Sequence, residues 1–225
     1  MADYTPGRYE GFGSWYDDVM NDQGKRGKLN DAAHALLAGL IGSGSGVAVD
    51  VGCGTGIMSK VLKELGYTPL GFDFAYDQLR IAKNRLPVAQ ADATRLPIRS
   101  ASVSLAYSTF ITTDWDNLEE AVAEIYRILK SGGRYIDLGT HPCFYGGFSV
   151  QQSDGTVVQY PGYRGSKYLE PSHYNSEIRR RVGGWHRPIS EIINIYLRAG
   201  FVLEKIIEGG PDAVPSILGV IAVKR

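Results

Sequence analysis

Residues 47–56 read Val-Ala-Val-Asp-Val-Gly-Cys-Gly-Thr-Gly, and they constrain the fold more than any other stretch. Val47 to Val51 is a short, mostly β-branched run of the kind that forms a buried parallel strand. Gly52, Gly54 and Gly56 follow at every second position, and a helical pattern starts at Ile57. Strand, glycine turn and helix together open a nucleotide-binding α/β unit. The turn needs glycine because the backbone reverses tightly there and a ligand can lie against main chain without a Cβ in the way.

The spacing narrows the ligand. A dinucleotide fingerprint places its third glycine one residue later, where this chain has Ile57. A P-loop would need Gly-Lys-Ser/Thr, which does not follow. What remains is D-x-G-x-G-x-G, beginning at Asp50. This string resembles motif I of class I S-adenosylmethionine (SAM) methyltransferases.

The rest of the chain extends the pattern. Leu29–Ile41 reads as an amphipathic helix ended by Gly42, Ile57–Leu65 as the first crossover helix, and Tyr67–Phe72 as the second strand. Asp73 lies 21 residues beyond Gly52, at the tip of that strand, where an acid can accept from ribose hydroxyls. Asp73 or Asp77 could instead cap the helix expected over 75–84. Pro87–Gln90 and Ser102–Ser108 read as the third and fourth strands. Asn117–Leu129 reads as a helix, with Lys130-Ser-Gly-Gly133 as its glycine stop before a fifth strand, Arg134–Leu138. His186-Arg187-Pro188 is expected to start a helix running to Ala199, followed by strands at 201–207 and 216–223. The Asp92-Ala93 pair, the Leu-Lys-x-Gly-Gly string and the Ala-Gly-Phe before the sixth strand are similar to the same family.

The resemblance implies a Rossmann-like sheet of seven mostly parallel strands with helices on both faces, a single domain over 1–225, and SAM as cofactor. It implies that Asp92 and Ala93 meet the adenine, and that Tyr16 lies in an N-terminal arm (1–28) folded over the cofactor. The implied cofactor contacts are Tyr16, Asp50, Gly52, Cys53, Gly54, Gly56, Asp73, Phe74, Asp92, Ala93 and Ser108, with Asp50 reaching the amino group through water. An Asx-turn is the other use of Asp92. After the fourth strand comes Ser108-Thr-Phe-Ile111, not the Asn/Asp-Pro-Pro-aromatic cluster of enzymes that methylate exocyclic amines.

Residues 139–187 carry eight aromatic residues, many Gly and Pro, and no clear period. A run this long and this aromatic is expected to bind something, as a substrate-facing lid inserted after the fifth strand. Thr156–Tyr160 suggests one strand of a hairpin turned at Asp154-Gly155. Transfer of a methyl group needs alignment and sometimes a base. His141, directly after the fifth strand, is the first candidate base. His186 and His173 are alternatives, His34 reads as structural, and Tyr145 is a candidate for orienting the acceptor. Arg179-Arg-Arg181 is either a solvated face or an anion site.

The bulk numbers limit the partners. Lys+Arg and Asp+Glu are 24 each, so the formal net charge is zero, without the basic surplus usual for nucleic-acid work. The two cysteines, Cys53 and Cys143, form no metal spacing or disulfide framework, which suits a reducing cytoplasm. The first seven residues lack the apolar core of a signal peptide, and no run is long enough to span a bilayer. The expected acceptor is therefore a small aromatic or amphipathic molecule, with a role in natural-product or cofactor biosynthesis by analogy. A tRNA or rRNA methyltransferase and a non-catalytic SAM-binding protein are the rivals. Two further readings are disfavoured. Pro142-Cys143 as a nucleophile follows the fifth strand, in a chain without a basic surplus, and a Tyr-x-x-x-Lys dehydrogenase pair falls too early at Tyr126/Lys130 and beside Pro161, Gly162 and Gly165 at Tyr163/Lys167.

Overall fold

The computed structural model describes residues 8–22, 24–174 and 176–225. The first seven residues, on which the signal-peptide expectation rests, lie outside them. Two helices come first, α1 (Gly13–Asn21) and α2 (Lys25–Ile41). Then follow β1 (Gly46–Val51), α3 (Ser59–Glu64), β2 (Tyr67–Asp73), α4 (Tyr76–Ala82), β3 (Val88–Gln90), β4 (Val103–Thr109), α5 (Leu118–Ile128) and β5 (Leu129–Thr140). Four short strands, β6 (Ser149–Gln151), β7 (Val157–Gln159), β8 (Lys167–Leu169) and β9 (Gly184–His186), leave the sheet, with the one-turn helix α6 (Arg179–Val182) between the last two. The chain returns through α7 (Ile189–Arg198), β10 (Phe201–Gly209) and β11 (Ile217–Lys224).

Seven strands form one sheet in the order β3-β2-β1-β4-β5-β11-β10. β1 pairs in parallel with β2 and β4, β2 with β3, and β4 with β5; only β11 runs antiparallel, to β5 and β10. The sheet reverses its winding between β1 and β4, so the carboxyl ends of those strands open a crevice.

Side-chain alternation assigns the two faces. On β4, Leu105 and Tyr107 join Leu37, Leu40 and Leu62 of α2 and α3, while Ala106 between them faces Val122, Ile125 and Ile128 of α5. The period of two in the strands meets the 3.6 period of the helices on both faces. α5 shows how the local code works. The Asn117 side chain accepts from the Glu120 N–H at 3.3 Å, and Leu118, Ala121, Val122, Ile125 and Ile128 are all buried.

Two expected boundaries need correction. Lys130–Gly133 does not cap α5. Leu129 is already extended and begins β5, and Gly132 (φ +75°) sits in an irregular first stretch opposite the register shift between Val103 and Leu105. His186 does not start a helix: it ends β9, and α7 begins at Ile189 behind Pro188. Proline pushes the residue before it, Arg187, out of the helical region.

Between β5 and α7 the chain builds two hairpins. β6 pairs with β7 around the turn at 152–156, as the Asp154-Gly155 signal suggests, and β8 pairs with β9. Val182 and Ile178 of this segment pack on Met20, with Trp15, Tyr16 and Val19 of α1 around them. That small apolar cluster brings the N-terminal helix and the excursion together above the crevice.

Candidate active site

The glycine turn closes on β2. Gly52 and Cys53 both donate their N–H to the Phe72 carbonyl, at 2.8 and 3.0 Å, and Gly56 donates to Cys53 at 2.8 Å. All three glycines have positive φ (+79°, +53° and +79°). Their surroundings differ. A Cβ on Gly52 would strike Ile111, and one on Gly56 would strike Leu86 at 2.5 Å. At Gly54 it would meet nothing closer than Gln78 Oε1 at 3.8 Å and Tyr16 Cε1 at 3.9 Å. Gly54 is therefore the glycine that borders open room; the other two serve packing.

Asp73 receives the Gly54 N–H at 2.8 Å and the Ala75 N–H at 2.9 Å, so it both ties the turn and starts α4. Burial raises its pKa to about 6, against the pull of those N–H groups. Its neighbour across the β2–β3 pair is Gln90, which places Asp92 at the adjacent strand tip. Asp92 is exposed and accepts from Thr94 N–H and Oγ1, both at 2.8 Å, through one oxygen only. It makes the Asx-turn through that oxygen alone. Ala93 follows it and Phe74 is exposed beside it. Asp50 is buried beneath the turn with Oδ1 unpartnered, and burial raises its pKa to about 7 while Tyr107 opposes the rise.

One expected contact fails. Ser108 is wholly buried, and its hydroxyl is shared between Tyr135 (2.6 Å) and Asp137 (2.9 Å) inside the core. The alternation of β4 turns it away from the crevice. Cys53 gives the turn its backbone, and its sulfur, packed under Gly71 of β2, also donates to the Gly54 carbonyl at 3.7 Å; burial pushes the thiol pKa up.

One sequence signal was missed here. Gln78 is 2% exposed, and neither atom of its amide has a partner. A buried unsatisfied amide beside an open glycine turn is costly in the free protein, and it fits a polar ligand that would supply the missing bonds. In sequence, Gln78 looks like an ordinary helix residue.

Beyond Tyr16 lies a cavity of about 330 Å³, at the carboxyl ends of β4 and β5. Phe110, Phe144, Tyr145 and Trp185 supply aromatic wall. Phe110 has φ +57°, an unfavourable state for a residue with a side chain, fixed here between Ile111 and the cavity.

The structure reorders the candidate bases. His141 is buried outside the cavity wall: Nε2 lies 2.7 Å from Glu208 Oε1 and Nδ1 accepts the Cys143 N–H at 3.2 Å. Both nitrogens are spent, because the sheet turns this side chain toward β10, so the expected first base is corrected. His173 is exposed and lies away from the wall. His186 does line the cavity. Its Nε2 lies 2.7 Å from the Tyr163 carbonyl, which can only accept, so Nε2 carries the proton and Nδ1 is the basic atom. Burial, with Lys167 adding to it, lowers the His186 pKa despite the Tyr163 bond. Phe148 and Tyr163 hold the ring edge-on at 4.8 and 5.1 Å.

The arginine run divides by helix face. Arg181 stacks over Trp15 at 3.9 Å, Arg180 is exposed, and Arg179 turns inward to the cavity. Arg179 pairs with both oxygens of Asp114 and donates to Thr113 Oγ1 at 2.6 Å. Burial works against its charge, yet Asp114 holds its pKa well above the ordinary value. Tyr9 donates to the same carboxylate at 3.3 Å. Sequence could not show this network, since Arg179 and Asp114 are 65 residues apart.

The remaining rivals meet the geometry as well. Pro142 and Phe144 line the cavity, but Cys143 between them faces the Tyr163 hydroxyl at 3.2 Å. Lys167 lies on β8 and Lys130 on β5, so neither Tyr-x-x-x-Lys pair shares a helix.

A seven-stranded sheet of this order, with a D-x-G-x-G-x-G turn at the end of its first strand and acids at the next two strand tips, is the class I SAM-dependent methyltransferase fold. Residues 49–137 match the methyltransferase domain family, and the fold is that of class I SAM-dependent methyltransferases. An S-adenosylmethionine-dependent methyltransferase from Mesorhizobium loti superposes with a TM-score of 0.73 at 21% identity, over 87% of this chain and all of that one. A malonyl-[acyl-carrier protein] O-methyltransferase of Enterobacter lignolyticus is 31% identical over 45% of this chain and 42% of its own length. A demethylmenaquinone methyltransferase of Renibacterium salmoninarum is 28% identical over 70% of this chain and 68% of its own. With most of its curated relatives the chain aligns over less than half of their length. Among the described residues no helix is long and apolar enough to cross a membrane.

Proposed function

We propose that the protein transfers a methyl group from SAM to a small-molecule acceptor held in the cavity beside Tyr16, with His186 as the base. The observation that carries this reading is the aromatic, about 330 Å³ cavity lying one side chain away from the open face of Gly54. A volume of this order suits a small ligand more than a nucleic-acid segment. The names of the malonyl-[acyl-carrier protein] and demethylmenaquinone enzymes among the relatives support a small acceptor group.

The residues present fit the cofactor. Gly54 leaves space for it, Asp73 and Asp92 offer acceptors for ribose hydroxyls and the adenine amine, and the unpartnered Gln78 amide awaits a polar group. When bound, SAM supplies a methyl group on a positively charged sulfur. The aromatic walls hold the acceptor in line with that methyl, an alignment worth ~7–11 kcal/mol in favourable cases. Held by Asp73, Asp92 and the turn at Gly54, SAM would supply the methyl and would leave as S-adenosylhomocysteine. The acceptor's proton passes to Nδ1 of His186, which the lowered pKa keeps neutral near pH 7. Residues 139–187 act as the lid over this step, and Tyr145 near its start orients the acceptor.

Calorimetric titration with S-adenosylhomocysteine and, separately, NADH tests the cofactor side. Tight NADH binding with none for S-adenosylhomocysteine would sink the reading. Tritiated-methyl transfer from SAM into a small-molecule extract, followed by mass spectrometry, tests the acceptor side.

A further inference from the structure

We propose that Arg187 is the specificity determinant of the cavity: it recognises an acceptor that carries a single negative charge, a carboxylate, at a position separate from the methylated atom. This rests on the methyl-transfer reading of the cavity.

Arg187 lines the cavity and is 7% exposed. Its guanidinium donates to three main-chain carbonyls of the loop after β4: Thr112 at 2.7 Å, Trp115 at 2.6 Å and Asp116 at 3.1 Å. Carbonyls satisfy N–H groups but do not cancel a charge. Among the described residues no carboxylate forms an ion pair with it. The acids nearest to it are committed elsewhere. Asp114 is held by Arg179, Asp116 by Arg8 and the Trp185 indole N–H, and Glu191 by Arg198. Burial lowers the Arg187 pKa to about 10, with Asp116 opposing, which still leaves it charged at neutral pH.

The cavity wall bears out the imbalance. It contains Arg179 and Arg187 and no Asp or Glu. Arg179 is neutralised by Asp114 from behind, so Arg187 is the wall's one cation without an ion pair, steadied only by the Trp185 ring at 4.9 Å and the field of Asp116. A buried charge without a partner is strongly disfavoured, and a ligand that brings the opposite charge removes the penalty. Three of the five Arg187 N–H donors are spent on the main-chain carbonyls, both of those on Nη2 among them, so the Nε–H and one Nη1 N–H remain for a ligand oxygen, and the recognition is by charge and single hydrogen bonds. One unpaired positive charge matches a monoanion better than a phosphate carrying −1.5 to −2. The carboxylate is the anchor and not the methylated group, because ion pairing to Arg187 would dull its oxygens and His186 next door would have no proton to remove. The acceptor is thus an acid of small size with an aromatic or apolar body and a second, protonated nucleophile.

The test is calorimetry on the full chain saturated with S-adenosylhomocysteine, with 3-phenylpropionate and its primary amide as probes. The expected result is binding of the acid about tenfold or more tighter than the amide, with the preference abolished in R187Q and partly kept in R187K. Equal binding, preference for the amide, or no binding of the acid overturns the proposal. Tighter binding of phenyl phosphate than of 3-phenylpropionate overturns the assignment to one negative charge. A preference kept in folded R187Q overturns the assignment to Arg187, and if R187Q fails to fold, an undiminished preference in R187K does the same. Failure of S-adenosylhomocysteine to bind in the first step would instead remove the methyl-transfer reading itself.

Discussion

At the residue scale, one side chain is proposed to carry the chemistry and another carries a hidden cost. His186 has its Nε2 proton fixed on the Tyr163 carbonyl and a pKa below the ordinary histidine value. The acid limb of kcat/KM should therefore fall below pH 6.5, and H186Q should lose about 10²–10⁴-fold in kcat together with that limb. A limb that stays in H186Q would assign it to another group. Gln78 should behave in two opposite ways. Replacing it with methionine removes a buried amide whose atoms lack partners, so Q78M should raise the Tm of the free protein. The same change should weaken S-adenosylhomocysteine binding by about tenfold, the value of one good hydrogen bond near 1.4 kcal/mol. A Tm gain with unchanged affinity would show that the amide does not face the cofactor.

At the scale of elements, the loop after β4, helix α6 and strand β9 form one unit. Arg179 reaches Asp114 and Thr113 from α6, and the Trp185 N–H of β9 donates to the Thr113 carbonyl at 2.7 Å. Breaking a buried pair on one side leaves the other charge stranded. R179M should cost about 3–5 kcal/mol in urea unfolding, and R179M combined with D114L should recover most of it. Additive losses in the double variant would mean that the two residues stabilise independently. α1 is fastened in a similar way. Arg85 bridges Asp17 of α1 (2.5 and 2.9 Å) and the Thr55 carbonyl of the glycine turn (2.8 Å), and Asp77 accepts the Gly13 N–H at 2.6 Å. The N-terminal arm is thus tied to the turn that it covers.

At the scale of the whole molecule, three buried acids set the pH response. Asp50, Asp73 and Asp137 have pKa values raised to about 7, 6 and 6, chiefly by burial. Where the folded protein holds more protons than the unfolded chain, stability falls as pH rises. His34 and His186, whose pKa values are lowered, act in the opposite sense below the ordinary histidine value. Between pH 6.5 and 8 the Asp50 term is the largest, offset in part by the two histidines, which still release protons from the unfolded chain there. The free protein should lose about 0.3–0.5 kcal/mol, or ~1–2 °C in Tm, and D50N should turn the slope upward. A Tm that rises over this interval in the unaltered protein would contradict it.

The sequence by itself determined the sheet, its order of helices and strands, the glycine turn and the acids at the strand tips. These features depend on short-range periodicity and spacing, which a linear chain displays directly. It also marked 139–187 as the segment with a different task. Tertiary structure alone decided which side chains of that segment face inward. His141 and His186 are indistinguishable as letters, yet one is consumed by Glu208 and a backbone N–H while the other opens on the cavity. Ser108 sat at the expected strand end, but strand alternation turned it into the core. Arg179 and Arg187 became a neutral pair and a lone buried charge through partners far away in sequence. The glycine turn, read first as three equal residues, resolves into two that pack and one, Gly54, that leaves room for a ligand. Burial and pairing are properties of contacts between distant segments, and for that reason the turn was legible in the chain and the acceptor's recognition was not.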